Sequence, residues 1–224
     1  MRARRERSVP ADQGLVCKIA SILLQYPADR VLGQLDDVEA ALPDVTDPAR
    51  REPLARVVAW LREQGAAAAE HHVATFDLTR RCSPYLTYYR YGDTRQRGMA
   101  LLAFKHTFRQ SGWEVGDQEL PDYLPAVLEF AALAPDAAGH RLLVAHRAGL
   151  ELLRLALTEE GSPYAAVLDA VCAGMPQLSD RQSADVRRLA ETGPPKEDVG
   201  LDPVGTEPFA PPEFLTGAGM EAPR

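Results

Sequence analysis

Residues 120–130 read Leu-Pro-Asp-Tyr-Leu-Pro-Ala-Val-Leu-Glu-Phe, and this stretch indicates how the chain folds. A helix tolerates Pro121 and Pro125 only before or within its first turn, where the backbone amides have no partner inside the helix. At about 100° per residue, the apolar residues that follow fall on one side of such a helix. That side consists of Leu124, Val127, Leu128 and Ala131. The stretch therefore predicts a helix that begins at the prolines and buries one face.

Two carboxylates are predicted to lie on the other side of this helix. Asp122 and Glu129 are seven residues apart, so on a helix they share one face. One interpretation is an acidic stripe that faces away from the core and binds a cationic peptide. The alternative is that Asp122 caps the helix and Glu129 is simply solvated. Under the first interpretation, Asp122→Ala weakens peptide binding with little loss of stability.

The helical pattern extends over most of the chain, and the fold class is predicted to be all-α, as a single-domain helical bundle. Asp47-Pro48, for example, reads as a helix N-cap followed by proline at the first helical position. Residues 79–92 are predicted to be a loop with one helical turn. Helices are predicted at about 12–26, 28–42, 47–64, 66–76, 94–111, 121–134, 138–158 and 163–175.

Three regions are predicted along the chain. Residues 1–11 are expected to form a flexible N-terminal arm, and residues 12–178 an all-helical domain. Residues 179–224 are acidic and proline-rich, so we expect a largely disordered tail with room for only a short polar helix near 180–191.

Charge and composition disfavour several classes of partner. The net charge of −7 over 224 residues disfavours binding to nucleic acid and to anionic membranes. No run approaches the roughly 20 apolar residues of a membrane span. Glu6 directly follows Arg4-Arg5, and polar residues interrupt the next segment, so no export signal is predicted. Three cysteines without C-x-x-C spacing fit a reducing compartment. A cytoplasmic protein without stable membrane association is expected.

The sequence contains no pattern that indicates catalysis. Glycine-rich phosphate loops and the G-x-S-x-G serine motif are absent. His71 and His72 would point about 100° apart on a helix, which disfavours a shared metal. A helical protein that binds a ligand or a metal through distant residues stays open as an alternative. A DNA-binding regulator is disfavoured because no basic recognition helix is evident.

Arg97 lies on the otherwise apolar side of the helix predicted at 94–111, together with Leu101, Phe104 and Phe108. An arginine at such a position must either reach solvent or meet a carboxylate. If it meets a carboxylate, the candidate partners are Asp77 and Glu129.

Three pieces of the chain together resemble a known family. They are Phe76-Asp77, then Gly92-Asp93-Thr94-Arg95-Gln96-Arg97-Gly98, and then residues 120–130. Their order is similar to that of the NarJ-type nitrate reductase assembly chaperones, within the wider TorD-like group of redox-enzyme maturation proteins. The resemblance covers roughly residues 15–175. It departs from the family in residues 85–91, which are aromatic rather than acidic.

The resemblance implies an all-helical chaperone without enzymatic activity or a permanently bound cofactor. Such a protein binds the apo catalytic subunit of respiratory nitrate reductase at its N-terminal segment and assists molybdenum cofactor insertion before membrane docking. Another molybdoenzyme of the same superfamily is the alternative client. The residues that the resemblance assigns to the peptide site are Leu120, Pro121, Asp122, Tyr123, Glu129 and Asp77, with Arg95, Arg97 and Gly98 at the adjoining helix start.

Overall fold

The computed structural model describes residues 11–116, 119–134 and 137–195. Within these ranges the chain is helical, and its β-structure is limited to one isolated antiparallel bridge. The predicted all-α class is thereby confirmed. The helices are α1 (Gln13–Leu23), α2 (Asp29–Leu32), α3 (Leu35–Ala41), α4 (Pro48–Gln64), α5 (Ala68–His72), α6 (Tyr88–Tyr91), α7 (Arg95–Gln110), α8 (Leu124–Leu133), α9 (Ala138–Ala145), α10 (Arg147–Glu159), α11 (Ala165–Ala173) and α12 (Asp180–Thr192).

Helix boundaries follow local sequence signals where those signals are strong. Asp47 caps α4 by accepting a hydrogen bond from the Ala49 amide at 3.0 Å, and Pro48 is the first helical residue. Gly65 ends α4 with a positive φ of 52°, a conformation that glycine adopts without strain. The predicted N-cap and its proline are thus confirmed.

Two predicted helices are each split into two. The helix predicted at 28–42 is interrupted at Gly33 and Gln34, between α2 and α3. The helix predicted at 138–158 breaks at His146, whose Nδ1 lies 3.0 Å from the Leu142 carbonyl. The His146 amide still donates to the Leu142 carbonyl at 3.1 Å, but the backbone of His146, with φ of −104° and ψ of 20°, leaves the helical region. The result is the separation of α9 from α10.

The segment that follows α5 contains a π-helical turn at Val73–Asp77, in which the Leu78 amide bonds the Val73 carbonyl at 3.0 Å. The sequence predicted an ordinary helix here. Such turns are rare in proteins and frequently occur at functional sites. This one brings the chain to Asp77 and to the loop at 79–92. The loop contains a 3₁₀ turn and α6, where one helical turn was predicted.

The core is built around α1, which packs on α8 and α11, while α4 packs on α11 and also contacts α1. Arg50 of α4 is almost fully buried and ties these helices together. Its guanidinium donates to the Asp12 carboxylate at 2.5 Å and to Gln13 Oε1 at 2.6 Å. Because Asp12 and Gln13 pair with the Arg50 guanidinium, its positive charge is tolerated in the interior. This network holds the start of α1 against α4.

The helical part of the chain continues beyond the predicted boundary at residue 178. Ser179 and Gln182 form a reciprocal capping box that starts α12. Val186 and Leu189 are buried where α12 packs on α10. A short helix was predicted here, but its packing on the rest of the domain was not predicted. The C-terminal boundary of the helical domain, predicted at residue 178, therefore moves at least to Thr192. Residues 1–10 and 196–224, to which the predicted arm and most of the tail belong, lie outside the described residues.

None of the helices in the described ranges is both long enough and apolar enough to cross a bilayer.

Candidate functional site

Two short segments, 84–87 and 122–124, run antiparallel and bring Tyr85 opposite Tyr123. The Leu86 amide donates to the Asp122 carbonyl at 3.0 Å, and the Leu124 amide donates to the Pro84 carbonyl at 2.8 Å. The two tyrosine rings lie 5.6 Å apart between centroids. The backbone pairing thus joins the loop at 79–92, which we call the aromatic loop, to the start of α8.

Asp122 is fully buried, which contradicts the predicted outward-facing stripe. The N-cap position of α8 is Tyr123, and Asp122 precedes it without capping the helix. One carboxylate oxygen of Asp122 accepts hydrogen bonds from the Thr87 amide at 3.1 Å and from the Thr87 hydroxyl at 2.5 Å. The backbone pairing at 122–124 turns this side chain inward. Asp122 therefore holds the aromatic loop in place rather than offering a free charge.

Arg97 meets Asp122 and Asp93, not the predicted partners Asp77 and Glu129. Its terminal nitrogens lie 3.6 Å from a carboxylate oxygen of each. The guanidinium also donates to the Thr87 hydroxyl at 3.2 Å and lies 5.5 Å from the centroid of the Tyr85 ring. Because the side chain is only 18% exposed, these contacts fix its position. Arg97 thus links α7 to the aromatic loop.

Glu129, the second acid of the predicted stripe, is half-exposed and pairs with Lys18 of α1 at 2.5 Å. Both side chains lie at the surface, where such a pair contributes about 0–1 kcal/mol. The predicted outward direction of Glu129 is confirmed, but one positive charge stands beside it. Pro121 is buried as part of the turn before α8.

An acidic and aromatic surface surrounds the tyrosine pair, and we call it the tyrosine face: Asp77, Tyr85, Glu119, Leu120 and Tyr123. Burial raises the pKa of Tyr123, and the nearby Tyr85, Glu119 and Asp77 raise it further. Burial also raises the pKa of Glu119, with a smaller contribution from Glu129. Asp77 and Glu119 thus contribute negative charge to the surroundings of both tyrosines. Leu120 is 42% exposed, so apolar surface is accessible beside the charges.

A cluster of buried rings packs against the π-helical turn that leads to this face. His72 packs on Phe76 with centroids 4.8 Å apart, and Phe76 packs on Tyr164 at 5.1 Å. The His72 Nε2 atom lies 3.3 Å from the Leu24 carbonyl. Because all three residues are buried, they hold the π-helical turn against the core. Asp77 is the last residue of this turn, so the packing of the turn determines where Asp77 lies on the surface.

Arg95 and Gly98 are exposed on α7, whereas Arg97 points inward from the same helix. A Cβ atom added to Gly98 would have no neighbour within 4 Å. The nine residues predicted for the site are therefore not all brought together. Three of them, Asp77, Leu120 and Tyr123, share the tyrosine face. Pro121, Asp122 and Arg97 lie beneath or beside it, and Glu129 lies at its edge. Arg95 and Gly98 occupy the outer side of α7.

Sequence reasoning missed Tyr85, Thr87, Glu119 and Lys18. The unusual run of tyrosines at 85–91 was a visible signal for Tyr85. Nothing local distinguishes Thr87 or Lys18, because their roles arise from contacts with residues 35 and 111 positions away. Among the described residues, no group of three or more His, Cys, Asp or Glu side chains is arranged to hold a metal ion.

Comparison with protein families matches residues 43–170 to the family described as "Nitrate reductase delta subunit". This range includes α4 to α10, most of α11 and the whole tyrosine face. It amounts to more than half of the chain.

Individual relatives agree with this match. The chain is 43% identical over 159 residues to the nitrate reductase-like protein NarX of Mycobacterium tuberculosis H37Rv, covering 70% of this chain but only 24% of that protein. It is 32% identical over 175 residues to a protein of Bacillus subtilis 168 assigned as the nitrate reductase molybdenum cofactor assembly chaperone NarJ, covering 78% and 95% of the two chains. The chain thus spans about a quarter of the length of NarX and nearly all of the NarJ protein.

A solved structure shows the same fold. The crystal structure is that of an Archaeoglobus fulgidus protein assigned as a redox enzyme maturation protein. It superposes with a TM-score of 0.53 and 20% identity, covering 76% of this chain and 98% of that one.

Proposed function

The chain belongs to the nitrate reductase delta subunit family, the NarJ-type maturation chaperones, and on that premise we propose that it binds the apo catalytic subunit of a respiratory nitrate reductase. It recognises the N-terminal segment of that subunit and keeps the subunit open for molybdenum cofactor insertion before membrane docking. The family consists of assembly chaperones and not of catalysts, so the chain itself is not an enzyme. The cytoplasm is the compartment in which these steps take place.

The tyrosine face is the observation that carries this proposal. It combines Tyr85 and Tyr123 with the carboxylates of Asp77 and Glu119 and the exposed side chain of Leu120. A helical peptide with one apolar and one basic side would bury its apolar residues against the rings and Leu120. The carboxylates would then fix the orientation of the basic side.

Apolar contacts should supply most of the affinity of such a complex. Burial of apolar surface contributes about 25 cal/mol per Å² before the costs of association are subtracted. An ion pair at the rim of the interface adds only about 0–1 kcal/mol. The acids of the tyrosine face therefore determine the orientation and selectivity of the peptide more than the strength of binding.

Asp122 and Arg97 act in this function as positioning residues. Both hold Thr87 from the inside through hydrogen bonds of 2.5 to 3.2 Å, and Arg97 also lies 5.5 Å from the centroid of the Tyr85 ring. Neither needs to touch the peptide. Their removal should disturb binding only through displacement of the aromatic loop.

Isothermal titration calorimetry tests the proposal with a synthetic peptide of the nitrate reductase catalytic subunit's N-terminus and a scrambled peptide as control. We expect saturable binding of the native order alone. The double variant Asp77→Asn/Glu119→Gln should weaken it by about three- to tenfold, because two favourable charge contacts are lost. Leu120→Ser should weaken it further through lost apolar contact.

Asp37→Asn/Glu39→Gln provides the matched control, because these exposed acids of α3 lie outside the tyrosine face. This variant should bind the peptide as the wild type does. Equal affinity of all variants would show that the peptide binds elsewhere. Tighter binding of the N-terminal peptide of another molybdoenzyme would assign that enzyme as the client.

A further inference from the structure

The outer side of α7 carries an exposed stripe of apolar and basic side chains, which we call the α7 stripe: Met99, Leu102, Lys105, His106 and Arg109. Met99 is 48% exposed and Leu102 is 59% exposed. These two are among the most exposed large apolar residues of the described chain. At about 100° per residue, positions 99, 102, 106 and 109 lie on one side of the helix, with 105 at its edge.

The composition of α7 makes this side cationic. The helix contains no aspartate or glutamate, and Lys105 and Arg109 are exposed on this side, whereas Arg97 points inward. It buries only Phe104 and Phe108, and so presents most of its surface outward. Because Gly98 has no side chain and no neighbour there, another backbone can approach α7 closely at this position. The α7 stripe therefore suits a segment that is both acidic and apolar.

The segment that follows α12 lies close to the N-terminal end of α7. A Cβ atom added to Gly92 would lie 1.8 Å from the Pro195 carbonyl oxygen, so the end of the α12 segment passes directly over Gly92. Gly92 is three residues before the first residue of α7. Residues 196–224 thus continue from a point beside the N-terminal end of α7. Sixteen helical residues span about 24 Å, and fourteen extended residues span up to about 45 Å, so the tail can reach the whole helix.

The chemistry of residues 196–224 complements the α7 stripe. They include six acidic and two basic residues. Their large apolar side chains stand beside acids, in Glu207-Pro208-Phe209 and Glu213-Phe214-Leu215. At the C-terminal end of α7, a pocket of about 140 Å³ is lined by the apolar side chains of Phe108, Trp113 and Val115 and by the charged side chains of Lys105, Arg109 and Glu114. Two cations against one carboxylate leave this lining with a net positive charge. A pocket of this kind fits one aromatic side chain whose neighbouring carboxylate meets Lys105 or Arg109.

We propose that residues 196–224 of the same chain dock along the α7 stripe, with Phe209 or Phe214 in the pocket beside Trp113. This contact covers Met99 and Leu102 and neutralises the basic side of α7. It concerns a surface other than the tyrosine face, and its test does not depend on the identity of the client.

Cysteine cross-linking in the full-length protein tests the docking. Ala103 is exposed beside the α7 stripe, and Ala210 follows Phe209, so Ala103→Cys/Ala210→Cys adds two thiols without removing any proposed contact. The three native cysteines are buried and free, which limits interference. Under mild oxidation we expect a disulfide within one chain, measured by peptide mass spectrometry after digestion.

Changes in the tail separate docking from mere proximity, because they leave the tether at Pro195 unaltered. Phe209→Ser/Phe214→Ser and Glu207→Lys/Glu213→Lys, each in the two-cysteine background, should slow cross-linking by about fivefold or more. Combining Glu207→Lys/Glu213→Lys with Lys105→Glu/Arg109→Glu should restore the rate, since the charges are then exchanged. Ala40→Cys/Ala210→Cys places the partner thiol on acidic α3 and should cross-link slowly.

Three results would overturn the proposal. One is a cross-linking rate that is insensitive to all tail substitutions, which would show that the tether alone brings the thiols together. The second is cross-linking only between chains, which would assign the α7 stripe to a second copy. The third is the absence of any Ala103→Cys/Ala210→Cys disulfide while both thiols react with iodoacetamide, which would leave the stripe for a different protein.

Discussion

Replacement of Asp122 by alanine is expected to unfold the protein at lower denaturant concentration rather than to remove a surface charge. The side chain is fully buried, and its oxygen accepts two hydrogen bonds from Thr87. Alanine would remove this acceptor and leave the Thr87 amide without a partner. It would also remove one of the two carboxylates beside Arg97.

The magnitude follows from these contacts. A hydrogen bond to a charged group contributes about 1.5–3 kcal/mol, and a buried donor left without a partner costs about 1–3 kcal/mol. Arg97 keeps Asp93 and some solvent, which limits its share of the loss. We therefore expect Asp122→Ala to lower the free energy of unfolding by about 3 kcal/mol. For a domain of this size, the corresponding decrease in Tm is about 6–12 °C.

Urea unfolding followed by far-ultraviolet circular dichroism measures the effect, with Glu129→Ala as the matched control. Glu129 is the other acid of residues 120–130 and is half-exposed, so its removal should cost at most about 1 kcal/mol. A double-mutant cycle with Thr87→Ala should show that the losses at Asp122 and Thr87 are not additive, by about 1–2 kcal/mol.

Equal stability of Asp122→Ala and Glu129→Ala would refute this reasoning, since it would place Asp122 at the surface. So would strict additivity with Thr87→Ala. At low temperature, where the Asp122→Ala protein is still folded, peptide affinity distinguishes the two roles. A large loss of affinity without any loss of stability would favour direct contact with the peptide.

Three further outcomes are expected. Gly92→Ala should destabilise the protein by about 1–3 kcal/mol in urea unfolding, because φ is positive and the Pro195 carbonyl occupies the place of the new Cβ, whereas Gly98→Ala should be neutral or stabilising. All three thiols should resist Ellman's reagent at about pH 8 until urea is added, because burial raises the pKa of each to about 11; rapid reaction of the native protein would contradict this. Burial lowers the pKa of His72, so its neutral form is favoured in the fold; stability should fall as pH decreases from about 7 through its lowered pKa, and His72→Gln should reduce this dependence if the residue is its source.

Much of the secondary structure could be predicted because its signals are local. Pro121 and Pro125 were expected before or within the first turn of a helix, and Pro125 is the second residue of α8. Leu124, Val127 and Leu128 are buried as their spacing predicted. Steric exclusion by proline and a period of 3.6 residues act within one turn of helix, so they can be read from adjacent residues.

Other features of the fold could not be read in this way. The period of the apolar residues continues through His146, although the helix breaks there. The π-helical turn before Leu78 depends on rings packed behind it, including Tyr164, which is far away in sequence. The packing of α12 on α10 gives Val186 and Leu189 a partner that their mostly polar neighbours did not indicate.

The same distinction between local signals and distant contacts applies to the candidate site. Patterns among neighbouring residues were enough to predict the all-α class, the start of α8, the outward direction of Glu129, and the family resemblance of residues 76–130. Contacts between distant parts of the chain turn Asp122 inward and pair Arg97 with Asp93 and Asp122. They also bring Tyr85, Asp77 and Glu119 to the same surface as Tyr123. The physical reason is that helix formation depends on neighbours within a turn, whereas the direction of a polar side chain depends on which distant donor or charge lies close enough to compensate for its burial.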